Sequence, residues 1–437
     1  MRNKKKVYFD YEAYECSALE EYFEAMAESG WLIKSINRPF LSFEKIEPKK
    51  LKFSVDILNK ISKYDPDDSY DALDYREYCE VAGWKYVCQD NKIQVFYTED
   101  YNSTIDIHTD ESEKFKSVVK ASLGYMILYL FLVFVWGLNI KMQFSSDISY
   151  EATSNFSLFS LLLMFSLILI YSTKPISFII WALKSRKRIR ENKSIKYNNY
   201  KQLRLKNIFI SSITVIYCVL FAVFILNDDN VPRSAAVVSL ILIFGVVIGT
   251  VFVTRYIRKK RYSRQTNITL AIGGSFAYIF IFLAITGVML TFDTLDYGDR
   301  NKVPEDKIEL TINDLGYEED NYSLYVDYSK SMVAEKLMYL TSSNEDDGLD
   351  YTLFKSKYSF LIKLQEKSLV KRIGKIMDDL ELVDSNLPKD INVYTYRNEE
   401  AYIFVSKDKV LQIDVDFKDM NKDTFIDRVY EKLLKEN

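Results

Sequence analysis

Five long apolar stretches, residues 118–140, 156–181, 208–226, 234–254 and 268–292, stand out from a chain that elsewhere mixes apolar and polar positions at short period. An α-helix needs about 20 mostly apolar residues to cross roughly 30 Å of hydrocarbon, where every backbone N–H and C=O must be bonded within the segment. The pattern therefore predicts an all-α transmembrane bundle of about five helices over residues 117–292. The second stretch is the least clean, because Lys174-Pro175 follows 18 uncharged residues. There the lysine is expected to reach the inner headgroups and the proline to end or kink the span.

Residues 1–116 read as an α+β domain containing a duplicated helix–hairpin unit. An amphipathic segment from Phe23 ends at Gly30-Trp31, and a second from Arg76 ends at Gly83-Trp84. Glycine most readily takes the left-handed cap that closes a helix, and tryptophan then opens a strand. In both copies the tryptophan lies twelve residues before a phenylalanine, Phe43 or Phe96, across a polar turn. Residues 51–58 alternate with period two and bridge the copies, and residues 6–10 supply a candidate edge strand. One antiparallel sheet with helices on one face is the economical arrangement. Trp31 and Trp84 are expected as core residues at the helix–strand junctions rather than as ligand platforms.

From residue 293 the pattern is again that of an α+β domain, with strands expected at 322–327, 401–405 and 410–415 and helices at 361–382 and 424–434. A polar stem near 296–307 separates it from the last apolar stretch.

Charge turns this pattern into a topology. Residues 1–116 carry 17 Lys+Arg against 24 Asp+Glu, residues 117–292 carry 20 against 5, and residues 293–437 carry 21 against 32. The basic excess sits in two of the loops between apolar stretches, including Arg186, Lys187, Arg188 and Arg190 in one and Arg258, Lys259, Lys260 and Arg261 in the other. Lys and Arg are retained on the cytoplasmic side. The N-terminus is therefore expected inside, and an odd number of spans puts residues 293–437 outside the cell membrane. The basic loops are read as topology signals attracted to anionic lipid, with no nucleic-acid partner. Trp136 and Trp181 fall near span ends, as an interfacial aromatic belt would place them. Gly245 and Gly249 form a GxxxG pattern and Gly273-Gly274-Ser275 opens the fifth stretch, so close helix packing is expected, with homodimer formation as the second use of that face.

Candidate chemistry changes the picture little. The chain has four cysteines and one histidine, His108, with no Cys/His cluster, so no metal site is expected. Residues 344–348 look like a calcium loop, but Phe354 stands where the bidentate glutamate belongs. Neither a phosphate loop, a zinc-hydrolase helix, a nucleophile elbow nor a dinucleotide fingerprint occurs. Ser117-Val118-Val119-Lys120 and Ser368-Leu369-Val370-Lys371 match SxxK without its companion motifs. No catalytic residue and no cofactor are assigned.

The Gly-Trp junctions, the strands at Phe43-Glu44-Lys45 and Phe96-Tyr97-Thr98, and the opening Phe9-Asp10-Tyr11-Glu12 resemble the bacterial membrane-protein family catalogued as domain of unknown function 2812. The resemblance covers about the first 100 residues; it implies a regulated membrane setting and brings no catalytic residue with it. The expectation is a non-enzymatic, multi-pass cell-membrane protein with two sides. Its outer domain would sense a ligand or protein, and its cytoplasmic domain would engage a protein partner. An accessory subunit of a transport or export complex is the alternative, and a membrane enzyme working through Asp or Glu is a third reading.

Overall fold

The structure is a computed structural model. It describes residues 3–100, 104–107, 110–144, 147–193, 195, 199–226, 245, 249, 253, 256, 262–296, 303, 307–316, 323–342, 348–384, 386–415 and 422–435. The chain divides into two units. One comprises Met1–Val135, Ser166–Val219 and Leu240–Ile285; the other comprises Trp136–Phe165, Leu220–Ser239 and Thr286–Asn437.

In the first unit the duplication is more complete than the helix–hairpin pattern predicts. Strand β1 (Lys4–Tyr8), helix α1 (Cys16–Glu28) and the hairpin β2 (Trp31–Asn37) and β3 (Phe40–Lys45) form one copy. Strand β4 (Lys52–Ile57), helix α2 (Tyr70–Val81) and the hairpin β5 (Lys85–Asp90) and β6 (Ile93–Thr98) form the other. The segment expected to bridge the copies is thus the first strand of the second. Strand order is β1-β3-β2 in one copy and β4-β6-β5 in the other. Even an irregularity recurs, with a register shift between Ile33 and Ser35 and again between Tyr86 and Cys88.

The single sheet expected is corrected to two three-stranded sheets. Each copy closes on its own edge strand, and the shifted strands β2 and β5, where the sheets adjoin, interrupt the regular ladder. Gly30 (φ +80°) and Gly83 (φ +91°) take the left-handed conformation that turns each helix into its hairpin. Helix α1 buries Leu19, Tyr22, Phe23 and Met26 in the main core with Phe43, Phe53 and Val95. Helix α2 buries only Ala72 and Cys79.

Helices α3 (Glu111–Gln143), α4 (Ile148–Ala152), α5 (Asn155–Arg190), α6 (Tyr200–Leu226) and α7 (Arg264–Asp296) follow. Among the described residues three helices are long and apolar enough to cross a membrane: Glu111–Gln143, Asn155–Arg190 and Tyr200–Phe224. The expectation of five spans is reduced accordingly. Most of the fourth stretch lies outside the described residues, and the fifth falls within α7, which is not among the three. Helix α5 also corrects the expected end of the second stretch, because it runs through Pro175 to Arg190. Proline removes one intrahelical bond, whereas ending the helix in apolar surroundings would expose several.

In the second unit a seven-stranded antiparallel sheet has the order β10-β11-β12-β13-β9-β8-β7. Its strands are β7 (Ser323–Lys330), β8 (Glu335–Ser342), β9 (Leu349–Lys355), β10 (Glu381–Val383), β11 (Asn392–Tyr396), β12 (Ala401–Val405) and β13 (Lys409–Val415). Alternate residues enter two cores. Tyr402 and Phe404 pack with Phe425 and Val429 of α9 (Lys422–Val429), while Ile403 and Val405 share a core with Leu361, Ile362 and Leu369 of α8 (Ser359–Ile373). The helix expected to reach residue 382 stops at Ile373, where Gly374 caps it; turns follow, and β10 begins at Glu381. Ile148 and Ala152 of α4 join the α8 core, so the connection between α3 and α5 is part of this domain.

Candidate functional site

The segment Phe9–Glu15 alternates aromatic and acidic residues, and the fold separates the two sets. Phe9 stacks on Tyr22 with ring centroids 4.8 Å apart, and the Arg38 guanidinium lies 4.1 Å from the Tyr11 ring centroid. Tyr14 packs against Phe178 and Trp181, each at 5.7 Å. Trp181 is thereby a packing residue, not the lipid-facing belt residue expected. Burying these rings brings the acidic positions against α3, α5 and α6 of the same unit. The Lys174 ammonium donates to Glu12 Oε1 at 2.7 Å and lies 3.6 Å from Asp10 Oδ2. Tyr129 Oη donates to the same Glu12 oxygen at 2.9 Å. Lys206 Nζ is 3.6 Å from Glu15, and Asn207 Nδ2 donates to the Asp10 carbonyl at 2.7 Å.

Lys174 is therefore not a headgroup-seeking side chain as expected but the centre of a partly buried ion-pair cluster. A charge in apolar surroundings is retained where an opposite charge and hydrogen bonds compensate its lost hydration. The sequence holds a signal for this: one lysine in a long uncharged run requires a partner, and the acidic residues of Phe9–Glu15 supply it.

Beside the cluster lies a cavity of about 240 Å³. Glu12, Arg38, Lys63, Asp90 and Lys92 form its polar wall, and Ile57, Ile93, Ala121 and Tyr125 its apolar wall. Arg38 Nε is 2.8 Å from Asp90, which is almost wholly buried. Asn59 ties the wall to α3 by donating to the Ser117 carbonyl at 3.0 Å, and its Oδ1 lies 3.3 Å from Lys92 Nζ. Asn267 of α7 donates to the Tyr64 carbonyl at 2.8 Å.

Burial raises the carboxyl pKa of Glu15, partly offset by Lys206, and likewise that of Glu20, where Lys114 opposes the shift. Burial and the neighbouring charge of Lys120 lower the pKa of Lys92. Cys79 and Cys88 are pushed by burial up to about 11 and about 12, so both thiols stay protonated and weakly nucleophilic at neutral pH.

The sequence candidates fall at several separate places. Trp84 is buried and its Nε1 donates to the Ile105 carbonyl at 3.0 Å. Trp31 is half-buried at the edge of the main core, with Lys5 Nζ 5.4 Å from its ring centroid. Gly245 and Gly249 are helical and face Tyr278: a Cβ on Gly249 would meet its ring at 3.3 Å, and one on Gly245 its hydroxyl at 2.5 Å. Arg186, Lys187, Arg188 and Arg190 occupy the last turns of α5 rather than a loop. Arg258, Lys259, Lys260, Arg261, His108 and residues 344–347 lie outside the described residues.

In the second unit Asp147 caps α4 through Ser149 and accepts from Gln365 at 2.9 Å and from Arg372 at 2.8 Å. Burial works to raise the Asp147 pKa, but the hydrogen bonds from Gln365 and Ser149 and the charge of Arg372 bring it below the usual range. Ser331 Oγ donates to the Ala152 carbonyl at 2.6 Å, and Met332 N donates to Asn155 at 3.0 Å. The buried ammonium of Lys336 lies 3.2 Å from the Tyr150 ring centroid. Among the described residues no group of three His, Cys, Asp or Glu side chains gathers as metal ligands.

These features define a class: a chain with three helices able to cross a membrane, a duplicated α+β domain against one set of helix ends and an antiparallel-sheet domain holding the α3–α5 connection. Residues 16–132 match the model of the family described as "Protein of unknown function (DUF2812)". The matched residues run from α1 through the second copy into α3 and include Trp31, Trp84 and Tyr129. No curated protein and no solved structure matches the chain.

Proposed function

We propose that this protein is a non-enzymatic, two-sided membrane sensor that couples the state of an extracytoplasmic domain, residues 293–437, to a cytoplasmic domain, residues 1–116. The orientation rests on the basic residues that close α5 and precede α7. The observation that carries the reading is a pair of polar clamps on α3, α5 and their connection. Glu12 holds Lys174 and Tyr129 in one unit, and Asp147 holds Arg372 and Gln365 in the other. Both α3 and α5 contribute residues to both units, so a shift of either helix is felt at each clamp.

The cytoplasmic domain presents a surface for a protein partner on α2, where Tyr70, Leu73, Tyr78 and Val81 are exposed on one side while Ala72 and Cys79 are buried on the other. Large exposed apolar groups gathered on one helix face suit a protein interface.

Hydrogen exchange on the full-length protein in lipid tests the coupling. Arg372→Gln, which weakens the Asp147 clamp, is expected to change protection in residues 9–15; unchanged exchange there sinks the proposal. The alternative, an accessory subunit of a transport or export complex, would be favoured by an ATPase retained on the full-length protein through purification from native membranes.

A further inference from the structure

The cavity beside Glu12 carries an imbalance of charge that its own carboxylates do not resolve. Asp90 is matched by Arg38 within the wall, and Glu12 is matched by Lys174 from behind it. Lys63 and Lys92 remain on the wall with no carboxylate within ion-pair distance among the described residues. Lys92 points its ammonium toward the neutral amide oxygen of Asn59. The apolar part of the lining includes Ala121 and Tyr125 of α3, a helix apolar enough to cross a membrane.

We propose that this cavity binds a phosphate-bearing anion, held by Lys63 and Lys92 against the apolar wall of α3. A phosphate group offers several strong acceptor oxygens to two ammonium donors, and each charge-assisted contact is stronger than a neutral one. An anion there also relieves the repulsion between Lys92 and Lys120 and the cost of partly burying Lys92. The cavity, at about 240 Å³, accommodates a phosphate and a short ester stem. Two sources share this chemistry: the headgroup of an anionic phospholipid, whose chains would lie along α3, and a soluble phosphate or phosphate ester. The site stands independently of the coupling between the two domains, since occupancy is measurable whatever the protein transmits.

The test uses full-length protein in detergent, with thermal unfolding and native mass spectrometry as readouts. The probes are inorganic phosphate, short-chain phosphatidic acid and short-chain phosphatidylcholine. Wild-type protein is expected to be stabilised by phosphatidic acid or by inorganic phosphate, and more strongly than by phosphatidylcholine. Lys63→Gln and Lys92→Gln should each weaken that binding by roughly 10-fold or more, the loss of one charged hydrogen bond. Ala121→Phe fills the cavity from the α3 side without altering charge and should abolish binding, while Arg186→Gln with Lys187→Gln at exposed positions of α5 should leave it intact. Binding of phosphatidic acid alone assigns the site to lipid, and comparable binding of inorganic phosphate assigns it to a soluble ligand. Absence of binding by either anion, or equal losses in the α5 control, overturns the proposal.

Discussion

Lys174 shows how one side chain ties an α+β domain to apolar helices. Its partners Glu12 and Asp10 lie more than 160 positions earlier in the chain, and both Lys174 and Glu12 are largely shielded from solvent. Removing one member of such a pair strands a poorly hydrated charge, at a cost of about 3–5 kcal/mol. Lys174→Met is therefore expected to destabilise the full-length protein strongly in detergent unfolding, and adding Glu12→Gln should recover part of the loss. Strictly additive effects would mean the two groups do not interact. Asp147 gives a pH dependence of defined sign. Its folded pKa is lowered, so its contribution is present above the ordinary aspartate value of 3.8 and disappears as pH falls through the folded value. Glu15 and Glu20 act in the opposite direction: with raised folded pKa values they favour the folded state most at low pH and lose that advantage as pH rises from 4.5 through the raised values. On acidification below the ordinary aspartate value, hydrogen exchange should accelerate around residues 147–155 but not around residues 13–20. Parallel acceleration in both would contradict the assignment.

At the scale of elements the two copies of the β-α-β-β unit have diverged around a shared frame. Gly30 and Gly83 occupy the same junction, yet a Cβ on Gly30 would stand 3.0 Å from the Ile46 carbonyl, whereas one on Gly83 meets nothing closer than 3.7 Å. Both alanine variants carry the backbone penalty of a positive φ, about 1 kcal/mol. Gly30→Ala should be the more destabilising in thermal unfolding, and the reverse order would refute the packing argument. Gly249 raises a different question, because its pattern serves either packing within one chain or pairing between two. Its approach to Tyr278 favours the first. Gly249→Val should cost about 1–3 kcal/mol by overpacking, and Tyr278→Ala should relieve it. A Gly249→Val defect that appears as loss of a dimer and ignores Tyr278 would assign the pattern to association between chains.

At the scale of the whole molecule the decisive property is which solution each domain meets. Cys16, Cys79 and Cys88 are buried, so their silence toward an impermeant maleimide would carry no topological information. Cysteines introduced at exposed positions do carry it. On intact cells Ser342→Cys should be labelled and Glu80→Cys should not, becoming reactive only after permeabilisation. Labelling of Glu80→Cys with Ser342→Cys silent would reverse the proposed orientation, and labelling of both, or of neither, on intact cells would put the two domains on one side and contradict it.

The apolar runs, the Gly-Trp junctions and the segregation of charge are local in the chain, and local physics is enough to read them. A run of about 20 apolar residues needs lipid or a core wherever it lies, and a glycine after a helix permits a left-handed cap whatever packs nearby. Helix–hairpin duplication, strand β4 and the α+β character of the C-terminal domain were legible on the same grounds. Strands β8, β9 and β11 were not; β9 is completed by β13, a neighbour distant in sequence, whereas β8 and β11 pair with the strands next to them in the chain and carry no distinct local signal. Nor did local pattern distinguish one sheet from two, since that depends on which edge each copy's first strand pairs with. The clamps at Glu12 and Asp147 and the cavity between Arg38, Lys92 and α3 belong wholly to tertiary structure. Opposite charges far apart in the chain have no mutual energy until folding brings them within a few ångströms and removes the water between them.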